Sequence, residues 1–341
     1  MIEPSVDADP KGVSPGRGIL GPHPAEGLRS PDPKIRLATL EDMGRLWLEG
    51  AVSLDEALAA HGEVLAADPD GRVRAELATL CALLPRRGQP AEACAAEGTL
   101  DDRLAILLDL LVDGAPGVRQ QAAAALGDLR APSTAAALVE RVEQDDDEGV
   151  RFEAAFALAS MGIARGREIL EHGLNNKNRR LDACEGLRRL ASPEAIPALE
   201  RLAQRRFLPW PDRLTALATL HSLGHPEGAR TLLRRTRARN RTERAYALSL
   251  IASHRITSGY AILEEVLQNP KDKLRETAAR ALGELGELGF ERAADVLMQV
   301  IEDRRTPRPL LVEAFEALEK LPSQAARNFL AVHPRPRETK P

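Results

Sequence analysis

From about residue 34 to residue 331, apolar residues recur every three to four positions within short segments, which is the spacing of amphipathic helices. Breakers containing proline separate many of these segments, as at Ala131-Pro132, Ser192-Pro193 and His225-Pro226. Proline suits the first turn of a helix and disfavours the helical conformation in the residue before it. Alternating β-branched runs that would predict strands are missing. The pattern therefore predicts an all-α protein in which helices alternate with tight turns.

One of the helical segments repeats along the chain as R-x-x-A-x-x-A-L-x-x-L, with some drift. Its arginine serves as a marker, and successive markers are separated by 32, 29, 33, 31 and 31 residues. The six markers are Arg119, Arg151, Arg180, Arg213, Arg244 and Arg275. A second amphipathic segment follows each copy, so each repeat is predicted to be helix A, a tight turn and helix B. Such units bury a continuous core only by stacking on their neighbours.

The repeats divide the chain into four predicted parts. Residues 1–33 contain seven Pro and five Gly and are predicted to be disordered, as is the tail 332–341. Residues 34–112 carry two weaker copies and an apparent insertion at 88–102, which predicts irregular N-terminal helical repeats. Residues 113–331 hold the regular repeats.

The marker arginines are accompanied by small-residue pairs such as Ala122-Ala123 and Ala278-Ala279 and by Ala-Leu pairs such as Ala157-Leu158. Together these residues resemble the HEAT-repeat family, in particular its short branch called the PBS lyase HEAT-like repeat. The resemblance covers residues 115–322 and, more loosely, 34–112. It implies a right-handed α-solenoid of stacked antiparallel helix pairs. It also implies that the marker arginines bond within the stack and that the B helices line the concave face.

Composition supports a closely packed helical core, because aromatic residues make up only 3% of the chain and hydrophobic residues 43%. The three cysteines, Cys81, Cys94 and Cys184, form no CxxC pair, which disfavours a disulfide framework or a zinc site. The N-terminus has no apolar signal-peptide region, and no run of about 18 apolar residues would span a membrane. We therefore expect a cytoplasmic protein without a membrane span.

Catalytic chemistry is not indicated by any motif. None of the seven histidines has metal-ligand spacing or is followed by Glu, the pair carried by HEAT-repeat hydroxylases that bind iron. The acidic run from Asp145 to Glu148 is predicted to be a solvated turn that caps the next helix, and Cys184 a thiol packed in the core. No catalytic residue, metal or cofactor is predicted.

Charge is distributed unevenly along the chain. Residues 1–200 carry 22 basic and 34 acidic residues, whereas residues 201–255 carry 12 basic and only 3 acidic ones. The candidate binding patch consists of seven arginines, four of which have the spacing of one helix face. The seven are Arg201, Arg205, Arg230, Arg234, Arg235, Arg237 and Arg241; the four that share a face are Arg230, Arg234, Arg237 and Arg241.

The B helices can be aligned on a central apolar residue of each. The residue that follows this position is Glu in four repeats and Arg234 in one. The aligned residues are Val139, Leu170, Leu199, Leu233, Leu263 and Leu297. Two interpretations of the arginines stay open. They bind an anion, or they are solvated and pair with Glu200, Glu264 and Glu265 of neighbouring repeats.

Two aromatic residues in the segment Phe207-Leu208-Pro209-Trp210-Pro211 form a second candidate site. Trp beside Arg is typical of an interface hot spot, which would make Trp210 and Phe207 binding residues. The alternative is that Trp210 fills a gap between repeats.

The leading functional hypothesis is a non-catalytic scaffold or adaptor that binds a protein partner with an acidic surface. One alternative is nucleic-acid binding, as in the HEAT-like alkylpurine DNA glycosylases with their positively charged groove, although a pI near 6.1 disfavours it. The other alternative is that the protein is a lyase of the phycobilin-lyase type. The arginine patch could also bind the acidic half of a second copy.

Overall fold

The computed structural model describes residues 24–48, 54–83, 97–286, 291–333 and 335, and within these residues every regular element is a helix. The helices divide into two units, with the division between Leu129 and Arg130. The first unit contains α1 (Pro24–Gly27), α2 (Pro33–Leu48), α3 (Leu54–Ala66), α4 (Gly71–Cys81), α5 (Glu97–Leu110) and α6 (Pro116–Leu129).

The second unit contains α7 to α19. These are α7 (Ala135–Gln144), α8 (Glu148–Ser160), α9 (Arg167–Gly173), α10 (Arg180–Leu190), α11 (Ile196–Ala203), α12 (Trp210–Ser222), α13 (Pro226–Arg235), α14 (Arg241–Ser253), α15 (Tyr260–Gln268), α16 (Arg275–Gly286), α17 (Glu291–Glu302), α18 (Arg308–Glu319) and α19 (Gln324–Val332).

Helices of type A form a continuous row within each unit. In the first unit α2 packs on α4 and α4 on α6; in the second, α8, α10, α12, α14, α16 and α18 pack on one another in turn. The B helices α7, α9, α11, α13, α15 and α17 each pack against the A helix that follows. The predicted all-α solenoid of stacked helix pairs is confirmed.

One apolar position recurs in the core of every A helix that carries a marker arginine. A leucine or isoleucine seven residues after each marker arginine is almost completely buried, as at Leu158, Leu187 and Ile251. Small residues bring the A helices close together: a Cβ added to Gly283 of α16 would lie 2.8 Å from the Cα of Ala317 in α18. The A helices are thus buried on several sides, whereas the B helices bury a single stripe and leave their other side exposed.

The borders of the described parts differ from those expected from composition. Leu28 is buried, and the Arg36 guanidinium donates to the carbonyl oxygens of Ser30 and Pro31, so the folded part begins before residue 34. The division at 129/130 lies later than the predicted border at 112/113, because α6 packs on α4 and α5. The predicted disorder of residues 1–23, and most of the predicted insertion at 88–102 and of the tail, lies outside the described residues.

Candidate functional site

The marker arginines are held inside the stack by backbone oxygens at the end of the preceding B helix or loop. Each donates to a carbonyl six or eight residues earlier, a group that a helix end leaves without an intrahelical partner. The pairs are Arg119 with Asp113, Arg151 with Asp145, Arg180 with Leu174, Arg213 with Arg205, Arg244 with Thr236 and Arg275 with Leu267. Arg180 and Arg244 also form ion pairs with Asp212 and Asp272 of the next repeat. These arginines bond to the stack itself.

The seven arginines of the candidate patch are all exposed, in contrast to the markers. Five of them have partners: Arg205 donates to Asn175, Arg230 pairs with Glu227, Arg235 lies 3.6 Å from Glu243, Arg237 lies 4.0 Å from Glu265, and Arg241 donates to the Lys273 carbonyl. Arg201 and Arg234 have no ion-pair partner among the described residues. Of the predicted partners Glu200, Glu264 and Glu265, only Glu265 contacts the patch among the described residues, through Arg237; Glu264 pairs with Arg292 and Glu200 with His225.

The expectation that four of these arginines share one helix face is wrong. Helix α13 ends at Arg235, because Thr236 leaves the helix with its hydroxyl bonded to the Leu233 carbonyl, and Asn240 then caps α14. Arg230 and Arg234 remain on α13, whereas Arg237 lies in the loop and Arg241 begins α14. The patch thus consists of arginines on B helices and arginines on the loops that lead to the next A helix.

The predicted alignment of the B helices is wrong by one residue in two repeats. The completely buried residues are Leu138 and Leu232, not Val139 and Leu233, and both lie 19 residues after a marker, as Leu170 does. Leu233, rather than Arg234, therefore occupies the position of Glu171, Glu200 and Glu264. Two residues after the buried position, the successive B helices of the second unit carry Glu140, His172, Arg201, Arg234, Glu265 and Gln299.

The exposed side of the B helices carries both signs of charge. A groove of about 490 Å³ lies between α9 and α11. It is lined by Arg167, Glu168, Glu171, His172, Asn175, Ala198 and Arg201. Arg167 pairs with Glu171 at 2.7 Å within α9. The ring of His225, just before α13, lies 3.0 Å from the carboxylate of Glu200 on α11. Arg201 therefore lines the same groove as the carboxylates of Glu168 and Glu171.

Trp210 and Phe207 differ in their environment. Trp210 begins α12 and makes an edge-on contact with Tyr246 of α14, with ring centroids 5.8 Å apart. Phe207 is 88% exposed, and the Arg206 guanidinium lies 5.4 Å from its ring centroid. Trp210 therefore contributes to packing between repeats, while Phe207 is free to contact another molecule.

The described residues contain no cluster of three or more His, Cys, Asp or Glu able to hold a metal ion. Burial raises the pKa of the Cys81 and Cys184 thiols to about 12, which confirms the packed-core prediction for Cys184; Cys94 lies outside the described residues. In the acidic run Asp147 caps α8 as predicted, but Asp145 is buried and not solvated. No described helix combines the length and apolar character needed to cross a bilayer.

Sequence reasoning missed one pair of side chains. Ser222 Oγ lies 2.9 Å from Nδ1 of His254, whose pKa burial lowers to about 4. Within the described residues, no carboxylate is hydrogen-bonded to the imidazole, so the third member of a nucleophilic triad is lacking there. The pair connects α12 to α14 and is not itself a candidate active site.

The sequence profile of HEAT repeats matches residues 58–159 and 104–181, and that of the PBS lyase HEAT-like repeat matches residues 274–303. The chain therefore contains HEAT repeats, over residues 58–181 and 274–303. Among curated proteins, none matches the chain in sequence.

Solved structures are similar to this chain to different degrees. Yeast importin-β (Kap95p) matches with a TM-score of 0.51 and 14% identity over 90% of this chain, and 46% of importin-β is covered. The phycocyanin lyase CpcE–CpcF complex from Nostoc sp. PCC7120 gives a TM-score of 0.43 and 20% identity, with 72% of this chain and 97% of that one covered. Human deoxyhypusine hydroxylase gives a TM-score of 0.32 and 16% identity, with 80% of this chain and 98% of that one covered. At 14% identity the likeness to importin-β concerns the fold alone.

Proposed function

We propose that this HEAT-repeat protein is a non-catalytic scaffold that binds an acidic protein partner through the exposed arginines of α11 and α13. These four, called the B-helix arginines below, are Arg201, Arg230, Arg234 and Arg235. The observation that carries the proposal is the pair Arg201 and Arg234. They occupy equivalent positions on neighbouring repeats, are exposed, and have no ion-pair partner among the described residues.

The chemistry of arginine supports a carboxylate partner. A guanidinium presents a planar set of donors that matches a carboxylate bidentately, and it is more weakly hydrated than an ammonium group. Arginine is also enriched among the residues that dominate protein interfaces. Two such groups on adjacent repeats would fix both the position and the direction of an acidic segment.

The mixed charge of this side favours a protein over nucleic acid. Glu171 lies on α9, Glu200 on α11 and Glu265 on α15, which are the helices that carry or flank the B-helix arginines. Phosphates would be repelled by these carboxylates, whereas a protein surface can place cations opposite them. Complementary charge of both signs selects one partner and one register.

The test is affinity purification from nuclease-treated lysate of the source organism, with recovered proteins quantified by mass spectrometry. The wild type is compared with a B-helix variant, Arg201→Glu/Arg234→Glu. A matched control, Lys320→Glu/Arg327→Glu, changes the charge by the same amount at exposed positions on and beside α18 and α19. We expect a defined protein to be recovered with the wild type and the control and lost with the B-helix variant. Recovery of the same proteins by all three, or recovery that requires intact nucleic acid, would contradict the proposal.

A further inference from the structure

Five consecutive loops of the second unit, each leading from a B helix to the next A helix, carry two basic residues apiece. The loops are 174–179, 204–209, 236–240, 269–274 and 303–307. We call their basic residues the basic loop edge. They are Lys177, Arg179, Arg205, Arg206, Arg237, Arg239, Lys271, Lys273, Arg304 and Arg305.

These cations are exposed and mostly unpaired. All but Arg179 are exposed, and ion pairs among the described residues involve only Arg179, at 3.2 Å from Glu148, and Arg237, at 4.0 Å from Glu265. The five loops contain two acids. The Asp272 side chain is only 7% exposed and pairs with the marker Arg244, and Asp303 accepts the Arg305 backbone N–H. The net field at the loop edge is therefore positive.

The loops lie side by side, because side chains connect neighbouring ones. Arg205 of the second loop donates to Asn175 of the first, and Arg241, just after the third loop, donates to the Lys273 carbonyl of the fourth. Packed helices are about 8–10 Å apart, so five loops form a row of cations roughly 30–40 Å long.

The folding of the repeats does not require these cations. The equivalent loops earlier in the chain are acidic, with Asp68 and Asp70, then Asp113, then Asp145 to Asp147. There the carboxylates cap helices or pair with a half-buried arginine of the neighbouring repeat, as Asp70 caps α4 and Asp113 binds Arg74 of α4. In the basic loops other residues do this, since Asn240 caps α14 and Asp272 pairs with Arg244. After residue 173 the loops thus carry basic residues instead of acidic ones, and most of these basic side chains have no role in packing the repeats.

We propose that the basic loop edge binds the phosphate backbone of single-stranded nucleic acid. An extended row of one sign is suited to a polyelectrolyte, whose affinity comes from counterion release and not from a fixed pattern of contacts. Phe207, in the second loop, supplies an exposed ring on which an unpaired base can stack, a combination typical of single-strand binding. This site differs from the B-helix arginines in residues and in position, and among the described residues only two of its ten cations, Arg179 and Arg237, lie within 4.0 Å of a glutamate.

The test is fluorescence anisotropy of the full chain with a labelled 20-nucleotide oligothymidylate, measured over a range of salt concentrations. If four to eight phosphates are neutralised, log K should fall with log salt with a slope of about −3 to −6. The variant Arg206→Glu/Arg239→Glu removes two phosphate contacts, so the affinity at low salt should fall at least about tenfold and the slope should become shallower by about 1 to 2.

Two controls separate this site from net charge and from the proposed scaffold surface. Lys320→Glu/Arg327→Glu and Arg201→Glu/Arg234→Glu each change the charge by the same amount, and both should keep the wild-type slope. Circular dichroism melting of all variants checks that they fold. A wild-type slope shallower than about −1, or equal weakening by all three variants, would overturn the proposal. Loss of the slope only in the B-helix variant would overturn it as well.

Phe207→Ala distinguishes nucleic acid from an acidic polypeptide. We expect it to weaken oligothymidylate binding about fivefold or more, because base–aromatic stacking is lost, and to leave polyglutamate binding unchanged. If Phe207→Ala has no effect and polyglutamate of equal charge displaces the oligonucleotide, the loop edge binds acidic polypeptides and the nucleic-acid proposal fails.

Discussion

Removal of Arg244 and removal of Arg230 should differ greatly in their effect, although both arginines lie in the same Arg-rich region. Arg244 donates to the Thr236 carbonyl at 2.7 Å and pairs with Asp272, whose side chain is only 7% exposed. Arg230 pairs with Glu227 on the same helix, and more than half of each of these side chains is exposed. The first pair belongs to the stack and the second to the surface.

The expected magnitudes follow from burial. Breaking a buried ion pair by removing one partner costs about 3–5 kcal/mol, because a buried charge is left without compensation. Arg244 is 26% exposed, and Asp272 keeps its bond from the Leu274 N–H at 2.9 Å, so Arg244→Ala should cost about 2–3 kcal/mol. Arg230→Ala removes an exposed pair and should cost about 0–1 kcal/mol.

Native-state hydrogen exchange measures this difference locally, which matters because repeat arrays need not unfold in one step. For Arg244→Ala we expect amide protection in α14 and α16 to fall about 30- to 150-fold, since about 1.4 kcal/mol corresponds to tenfold in an equilibrium constant. Protection in α13 of Arg230→Ala should stay within about fivefold of wild type. Equal effects of the two substitutions would refute the distinction between stack and surface arginines.

Three further predictions concern packing and titration. Gly283→Ala should destabilise α16 against α18 by about 1–3 kcal/mol in urea unfolding, because the added Cβ meets backbone, whereas Gly117→Ala in α6, which has open space, should be neutral or stabilising by up to about 1 kcal/mol. Equal destabilisation by the two would contradict the packing argument. Burial lowers the pKa of His254 to about 4 while the unfolded imidazole titrates near 6.5, so the unfolded state binds more protons between these values. The contribution of the neutral, buried His254 to the free energy of unfolding should therefore be full above about pH 6.5 and be lost as the pH falls towards 4. If the pH dependence of the free energy of unfolding is the same in His254→Gln as in the wild type, this reasoning is wrong. Cys184, as the sole cysteine of a variant, should resist iodoacetamide until the chain is unfolded, because its pKa is raised to about 12; rapid labelling of the native protein would disprove its burial.

The repeat and its markers were predictable from the sequence because both arise from local spacing. The register of the B helices was not, since α13 presents adjacent leucines and only the structure shows that Leu232, not Leu233, is completely buried. The end of α13 was also missed. Asn240 followed by an acidic residue three positions later is a helix-start signal that could have located it.

The basic loop edge was hidden for a different reason. Its residues are about 30 apart in sequence, and only stacking of the repeats brings the loops together on one side of the unit. Counting charge over 201–255 detected an excess of arginine but combined three kinds of residue: markers such as Arg213, B-helix arginines such as Arg234, and loop residues such as Arg239. Two basic residues in each successive loop is a pattern that a repeat-by-repeat alignment of loops would have revealed.

The most direct test of the scaffold proposal is hydrogen–deuterium exchange of this protein with and without the purified partner recovered by affinity purification. The account predicts new protection in α11 and α13, centred on Arg201 and Arg234, and none of it in the variant Arg201→Glu/Arg234→Glu. Protection confined to other helices, or an unchanged footprint in that variant, would contradict it.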